Sequence, residues 1–592
     1  MADPRHNGQG KTPDDHAPPP DQTALRENAA TQHRHWVRIN RVCNQRCIFC
    51  LDADMHDGAQ FGRAQVEEDI DRGKATGGRL VISGGEASIH PDFLHFIAYG
   101  RAAGFTHIQT ITNGRMFSRE AFAAAALDAG LTEVTFSIHG HTPAIHDTMT
   151  GTPGSFAQAV KGLVNVLKDG RAIVNVDVAI TRVNYRHLDD ILTFFQKLGV
   201  HEFDLLQVVP FGRAWPEHAQ ALFYDLEEAF PYLNRAFKNA HRPGNVIWTN
   251  RFPVAYLEDL EELIQDPHKL HDEVRGRAGL YEGYLRRGEP LSCAGERCRH
   301  CFIADLCATL FAVQQNRGQS PVPALAVNLS GAHAAPDYRR PPLTERDLID
   351  RARLLPLKGL TRLHVEADNL ASLMDFLNGI VPLLGNDPAP AALGVHSLTA
   401  LDHREVLACL KHLDGRFRLV RLDTPGLVDN DLLLDTDGFE LGLTLSPHTA
   451  LWAMNHAELL ENRATRGGFS LVYEPRSLLS DTKRTSGDWQ RFFAAWRRTR
   501  PQSAVATRDL PPCLGLEKTP LPPGHDPASW LWLDMLGDDG VLDMHRFVEW
   551  YIRHGYRVKS LGCASCRHHA SCPGMHLNYL RDRGLKQLNP IL

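Results

Sequence analysis

The sequence predicts an α/β protein built from two barrel-like halves, each followed by a cysteine-rich module. Three observations carry that reading. Strand-like and helix-like segments alternate from about residue 35 to 212, a fainter alternation runs over 345–505, and 11 of the 12 cysteines fall into three clusters. Regular alternation specifies right-handed βαβ units and a parallel sheet. At 592 residues the chain exceeds what one core supports, so several domains are expected.

Residues 1–33 are rich in Pro, Asp, Gln and His and lack hydrophobic periodicity, so they are expected to be a disordered tail. Over 34–240, strands are expected near 35–40, 79–83, 107–111, 132–138, 173–181 and 203–209. Helical spacing fills the gaps; one helix is expected from a capping Ser118 to a terminating Gly130. Residues 241–312 form a first cysteine-rich module, 313–344 a Pro/Gly/Gln-rich linker, 345–505 a degenerate copy of the barrel, and 506–592 a second module. The copy rests on phasing: Ala392–Leu407 runs like Gly78–Leu94, and Gly438–Ser446 like Gly130–Ser137, without the Gly-Gly-Glu or a cysteine triplet. Cys409 lies alone in an apolar pattern and is expected to be a buried core residue.

Chemistry in such folds gathers at the C-terminal strand ends. Those ends carry Cys43-Asn-Gln-Arg-Cys47-Ile-Phe-Cys50, then Gly84-Gly85-Glu86, Asn113, Ser137 and His139, Asn175, and Pro210-Phe-Gly212-Arg213-Ala214. Three thiolates so closely spaced can wrap one face of an iron–sulfur cubane, which normally takes four. With no fourth cysteine nearby, one iron stays open to a small molecule. The competing reading is a structural zinc knuckle with His56 as fourth ligand. His139, His141 and His146 are irregularly spaced in a loop and are expected on the surface or in the substrate pocket.

Cys43-x3-Cys47-x2-Cys50, with aromatic Phe49 before the last cysteine and Gly84-Gly85-Glu86 after the second strand, resembles the signature of the radical S-adenosylmethionine (SAM) superfamily. The resemblance implies an open, partial (β/α)6 barrel. It implies that Cys43, Cys47 and Cys50 ligate a catalytic 4Fe–4S cluster whose open iron holds SAM, and that the reduced cluster cleaves SAM to a 5′-deoxyadenosyl radical. It further implies that Phe49 packs near the adenine, that Gly84, Gly85 and Glu86 bind the amino group, and that Ser137 contacts the carboxylate or ribose. Asn113 and Asn175 are weaker candidates of the same kind. Gly212-Arg213-Ala214 resembles an element of the peptide-modifying branch.

Each half ends in four cysteines: Cys293, Cys298, Cys301 and Cys307, then Cys513, Cys563, Cys566 and Cys572. The shared CxxCxxxxxC spacing resembles twitch or SPASM-type extensions, which implies one or two auxiliary 4Fe–4S clusters that relay electrons. Two four-cysteine zinc sites are the alternative.

The expected function is hydrogen abstraction from a bulky substrate, a peptide or protein, in oxidative modification or cross-linking. A small metabolite or cofactor precursor is the alternative substrate, and a zinc-bound scaffold the non-catalytic alternative. An electron donor such as a flavodoxin or ferredoxin is an expected partner. A formal net charge of -6 argues against a nucleic-acid partner. No run of 18 apolar residues and no apolar leader are present, so neither a membrane span nor secretion is expected, and the expected location is the cytoplasm.

Overall fold

The computed structural model describes residues 34–74, 78–318, 322–329, 343–385, 389–399, 403–413, 415–426, 438–516 and 529–592. The tail expected at 1–33 lies outside them.

The first sheet has seven parallel strands in chain order: β1 (Arg34–Arg38), β2 (Arg79–Ser83), β3 (His107–Thr112), β4 (Glu133–Ser137), β5 (Ile173–Ile180), β6 (Glu202–Gln207) and β7 (Val246–Asn250). Six of them fall where the alternation puts them. The seventh corrects the six-strand expectation, and it pairs with β6 from Glu202↔Val246 to Leu206↔Asn250. Strand order equals chain order because each helix returns the chain to the next parallel position. Phe117, Phe136, Phe195 and Phe203 are fully buried in the core of this half, each contributing about 1.5–3 kcal/mol of apolar burial. The helix expected from Ser118 starts at Glu120. Ser118 closes a 3-10 turn instead, its hydroxyl donating to the Arg115 carbonyl at 2.7 Å, while Gly130 ends the helix in the left-handed conformation as expected.

A second α/β sheet follows in the second half of the chain. It holds eight parallel strands: β8 (Ala324–Asn328), β9 (Arg362–Ala367), β10 (Ala391–Ser397), β11 (Phe417–Thr424), β12 (Glu440–Thr444), β13 (Phe469–Val472), β14 (Ala506–Arg508) and β15 (Leu531–Trp532). β15, last in sequence, pairs in parallel with β8, the first, so that β14 and β15 form the two edges of the sheet. The expected linker therefore supplies a strand, and the second module supplies two.

Beyond β15, a helix at Met544–Trp550 leads to the antiparallel pair β16 (Arg557–Val558) and β17 (Met575–His576). Cys563, Cys566 and Cys572 lie in the loop between them. This C-terminal region packs on the first module. The His271 ring bonds Glu549 at 2.7 Å and stacks on His545, and Arg581 donates to Asp266 at 3.1 Å. Cys409 is half-buried rather than in the core. No helix among the described residues is long and apolar enough to cross a membrane.

Candidate active site

The loop after β1 that carries the cysteine triplet is pinned from three sides. From β2, Gly85 N–H donates to the Asn40 side-chain oxygen at 3.0 Å and Glu86 N–H to the Val42 carbonyl at 2.8 Å. A Cβ at Gly84 would collide with Asn40, and one at Gly85 with the Val42 carbonyl. These glycines are thus required by the approach of the cysteine loop itself. From the helix after β4, the carbonyls of Met149 and Thr150 accept from Ile48 and Arg46. From β6, Arg213 donates through its guanidinium to the Cys47 carbonyl and through its N–H to the Cys50 carbonyl, both at 3.0 Å. Gly212 has φ +55°, and a side chain there would strike the Cys50 carbonyl.

Cys43, Cys47 and Cys50 line one cavity of about 370 Å³ at the C-terminal ends of the strands. Phe49, Gly84, Gly85, Glu86, Asn113 and Ser137 line it too, as does His56. Burial pushes the Cys43 thiol up to about 11 and raises Cys50. Cys47 is raised by burial and then by its neighbours Cys43 and Cys50. Three thiols that oppose one another's ionisation are a donor set that a multiply charged metal centre deprotonates on binding. Gln45 N–H donates to the Cys43 sulfur at 3.4 Å.

Glu86 is locked in place. One oxygen accepts from Ser88 N–H at 3.1 Å, from the Ser88 hydroxyl and from the Thr112 hydroxyl at 2.7 Å; the other accepts from Asn113 N–H at 2.7 Å. Asn113 therefore contributes its backbone, while its side chain holds Asn44 at 2.6 Å. Phe49 meets the His139 ring edge-on, with centroids 4.6 Å apart. His139 stacks on His146, and burial holds both imidazoles below their ordinary range.

Asn175 is not brought to the cysteines. It donates to Glu133 at 3.0 Å in an adjoining deeper cavity of about 610 Å³. Asp177, two positions nearer the mouth, lines both cavities, and the sequence reading missed it. Burial raises Asp177 well above the carboxylate range, with Asp204 as the next cause, and burial likewise raises Asp204. The signal was present: Asn175 and Asp177 interrupt an otherwise apolar strand at alternate, inward positions.

Both four-cysteine groups gather in space. Cys301 and Cys307 each feel Cys293, and the Tyr281 hydroxyl lies 3.5 Å from the Cys307 sulfur. Arg277 and Arg297 flank the Phe211 ring at 4.5 and 5.3 Å, and Arg297 donates to the Cys293 carbonyl, so this group abuts the turn that holds the cysteine triplet. In the second group, Cys513, Cys563, Cys566 and Cys572 line one small cavity. Burial and the other three thiols push Cys513 up to about 12. Backbone N–H groups of Gly574 and Ile591 donate to the sulfurs of Cys572 and Cys566 at 3.3 and 3.4 Å, the kind of contact that tunes cluster thiolates. Among the described residues no three His, Cys, Asp or Glu side chains converge as one metal ion requires.

Residues 37–195 match the family described as the radical SAM superfamily, which uses a 4Fe–4S cluster and SAM. An AdoMet-dependent heme synthase of Oleidesulfovibrio alaskensis is 27% identical over 188 residues, covering 31% of this chain and 47% of that protein. The mycofactocin maturase MftC of Mycobacterium tuberculosis is 32% identical over 178 residues, covering 30% of this chain and 44% of that protein. The chain thus spans about half the length of the curated relatives it matches. Among solved structures, Streptococcus suis SuiB bound to the precursor peptide SuiA matches at 13% identity and TM-score 0.33, covering 44% of this chain and 60% of that one.

Proposed function

From a chain whose residues 37–195 carry a radical SAM superfamily domain, we propose a radical SAM enzyme that modifies a peptide or protein. The observation that supports it most is the meeting of Cys43, Cys47, Cys50 and Glu86 on one cavity at the strand ends. Three thiols with no fourth cysteine in the lining suit a cluster with one open corner. When bound, cluster and SAM supply a 5′-deoxyadenosyl radical that removes hydrogen from a carbon.

The chain's own residues bind, orient and shield. Glu86 is fixed by four donors, three of them on one oxygen; the other oxygen, which accepts from Asn113 N–H, keeps a lone pair for an ammonium group. Phe49 and Ser137 wall the same cavity. Trp36, Leu51 and Leu206 run from it into the deeper cavity, an apolar strip along which a substrate side chain enters while the rest of a bulky substrate stays outside. Asp177, whose carboxyl group burial raises well above the ordinary carboxylate range, lies between the two spaces. Cys293, Cys298, Cys301 and Cys307, and separately Cys513, Cys563, Cys566 and Cys572, are the ligand sets for two closed auxiliary clusters in electron transfer. A small metabolite is the second reading, favoured by the deep cavity's about 610 Å³, a typical small-molecule volume.

Metal and sulfide analysis of anaerobically purified protein tests the ligand assignment. The proposal expects roughly twelve irons per chain, falling to about eight in Cys43→Ala. Zinc in place of iron, with no acid-labile sulfide, overturns it.

A further inference from the structure

The second sheet ends in a cavity of about 100 Å³ walled by charged side chains. Glu366 on β9, His396 on β10 and Asp423 on β11 are register neighbours near the C-terminal ends of three adjacent strands. Open parallel sheets bind ligands at that end. Arg508, the last residue of β14, reaches Asp423 with two donors, one at 3.1 Å. Gly442, paired with Asp423 in register, makes room for this: a Cβ there would collide with both the carboxylate and the guanidinium.

Buried charges are tolerated when paired. Asp423 holds Arg508, Glu366 holds Arg553 at 2.9 Å, Glu474 holds Arg476 at 2.8 Å and Asp509 holds Arg557 at 3.3 Å. Each carboxylate of the cavity thereby meets a guanidinium, although Glu366 and Glu474 each keep an oxygen without a hydrogen bond, while Arg421 makes no hydrogen bond to any of the four. Its Nε lies 3.6 Å from the Asp423 oxygen that Arg508 and His396 already share, and makes no hydrogen bond. Its Nη2 lies 3.3 Å from the His364 ring. Arg553, 7% exposed, also has a terminal nitrogen without a hydrogen-bond partner. The carboxylates of Asp423 and Glu474, 3.4 and 3.9 Å from its ring nitrogens, overcome the burial of His396 and raise it to about 10.

We propose that this mouth binds a small oxyanion, a phosphate or carboxylate group, with Arg421 and Arg553 as its principal donors. The guanidinium fork matches the paired oxygens of either group. A cavity of about 100 Å³ has room for such a group. The inference is independent of the cysteine-lined cavity and of the chemistry proposed there.

Calorimetric titration of the full cluster-loaded chain with inorganic phosphate and, separately, with acetate, at constant ionic strength, tests it. One saturable site per chain is expected. Saturation by phosphate alone assigns a phosphate group, by acetate alone a carboxylate, and by both the shared oxyanion. Arg421→Gln is expected to weaken binding at least about tenfold, while exposed Arg491→Gln leaves it unchanged. Arg553→Lys, which keeps the charge and loses the fork, gives the same weakening should the first variant not fold. No saturable binding of either anion, or equal affinity in wild type and these two cavity variants, overturns the proposal.

Discussion

Arg213 and Cys47 are joined at 3.0 Å, guanidinium to carbonyl, across 166 positions of sequence. The turn after the sixth strand therefore holds the loop after the first. Replacing Arg213 by Ala removes that bond, a loss of about 0.5–1.5 kcal/mol. The expected outcome is faster loss of the first cluster to a chelator, with the other eight irons (roughly two cubanes' worth) retained. Iron release followed by absorbance checks it, and unchanged kinetics would remove Arg213 from this role.

Glu86→Gln is expected to weaken SAM binding. The amide lacks the charge that attracts an ammonium group, and its NH2 cannot replace the oxygen that accepts from Asn113 N–H. Loss of a charged hydrogen bond is worth about 1.5–3 kcal/mol, so affinity should fall about ten- to hundredfold. Equilibrium dialysis with labelled SAM reads this directly.

Gly85→Ala places a methyl group against the Val42 carbonyl. Overpacking of this kind costs about 1–3 kcal/mol. The thermal midpoint should fall, and iron should be lost from the first cluster before the others. An unaltered midpoint would mean that the two loops can separate freely.

Acid should destabilise the first barrel through His146. Burial lowers its pKa from 6.5 to about 4. Below pH 6.5 the unfolded chain therefore binds the proton more readily, so stability present at neutral pH is lost as pH falls toward 4. The loss between pH 7 and 5 is about 2 kcal/mol. Urea midpoints at the two pH values should differ less in His146→Gln than in wild type; equal slopes would contradict the assignment.

The cysteine triplet and Gly-Gly-Glu were legible because their signal is local, each sitting directly after a strand of ordinary length. β7 was not: only Ile247 and Thr249 of its five residues are buried, so the alternation is too short to register. β14 and β15, at three and two residues, exist through pairing with β13 and β8 rather than through any propensity of their own. β8 was hidden in a segment whose Pro and Gly content marked it as a linker. Arg213, Asp177 and Arg421 could be seen as residues but not as functional ones. What each does depends on partners brought together by the sheets, and spacing along the chain carries no trace of them. Asn175 shows the reverse case, a strand-end signal that the register moves one pleat too deep.

The most direct measurement is 5′-deoxyadenosine formation by the anaerobically reduced, iron-loaded protein supplied with SAM. The account predicts product from wild type and none from Cys43→Ala, Cys47→Ala or Cys50→Ala, while Cys513→Ala still forms it. A wild-type protein with its full iron complement that yields no 5′-deoxyadenosine would contradict it.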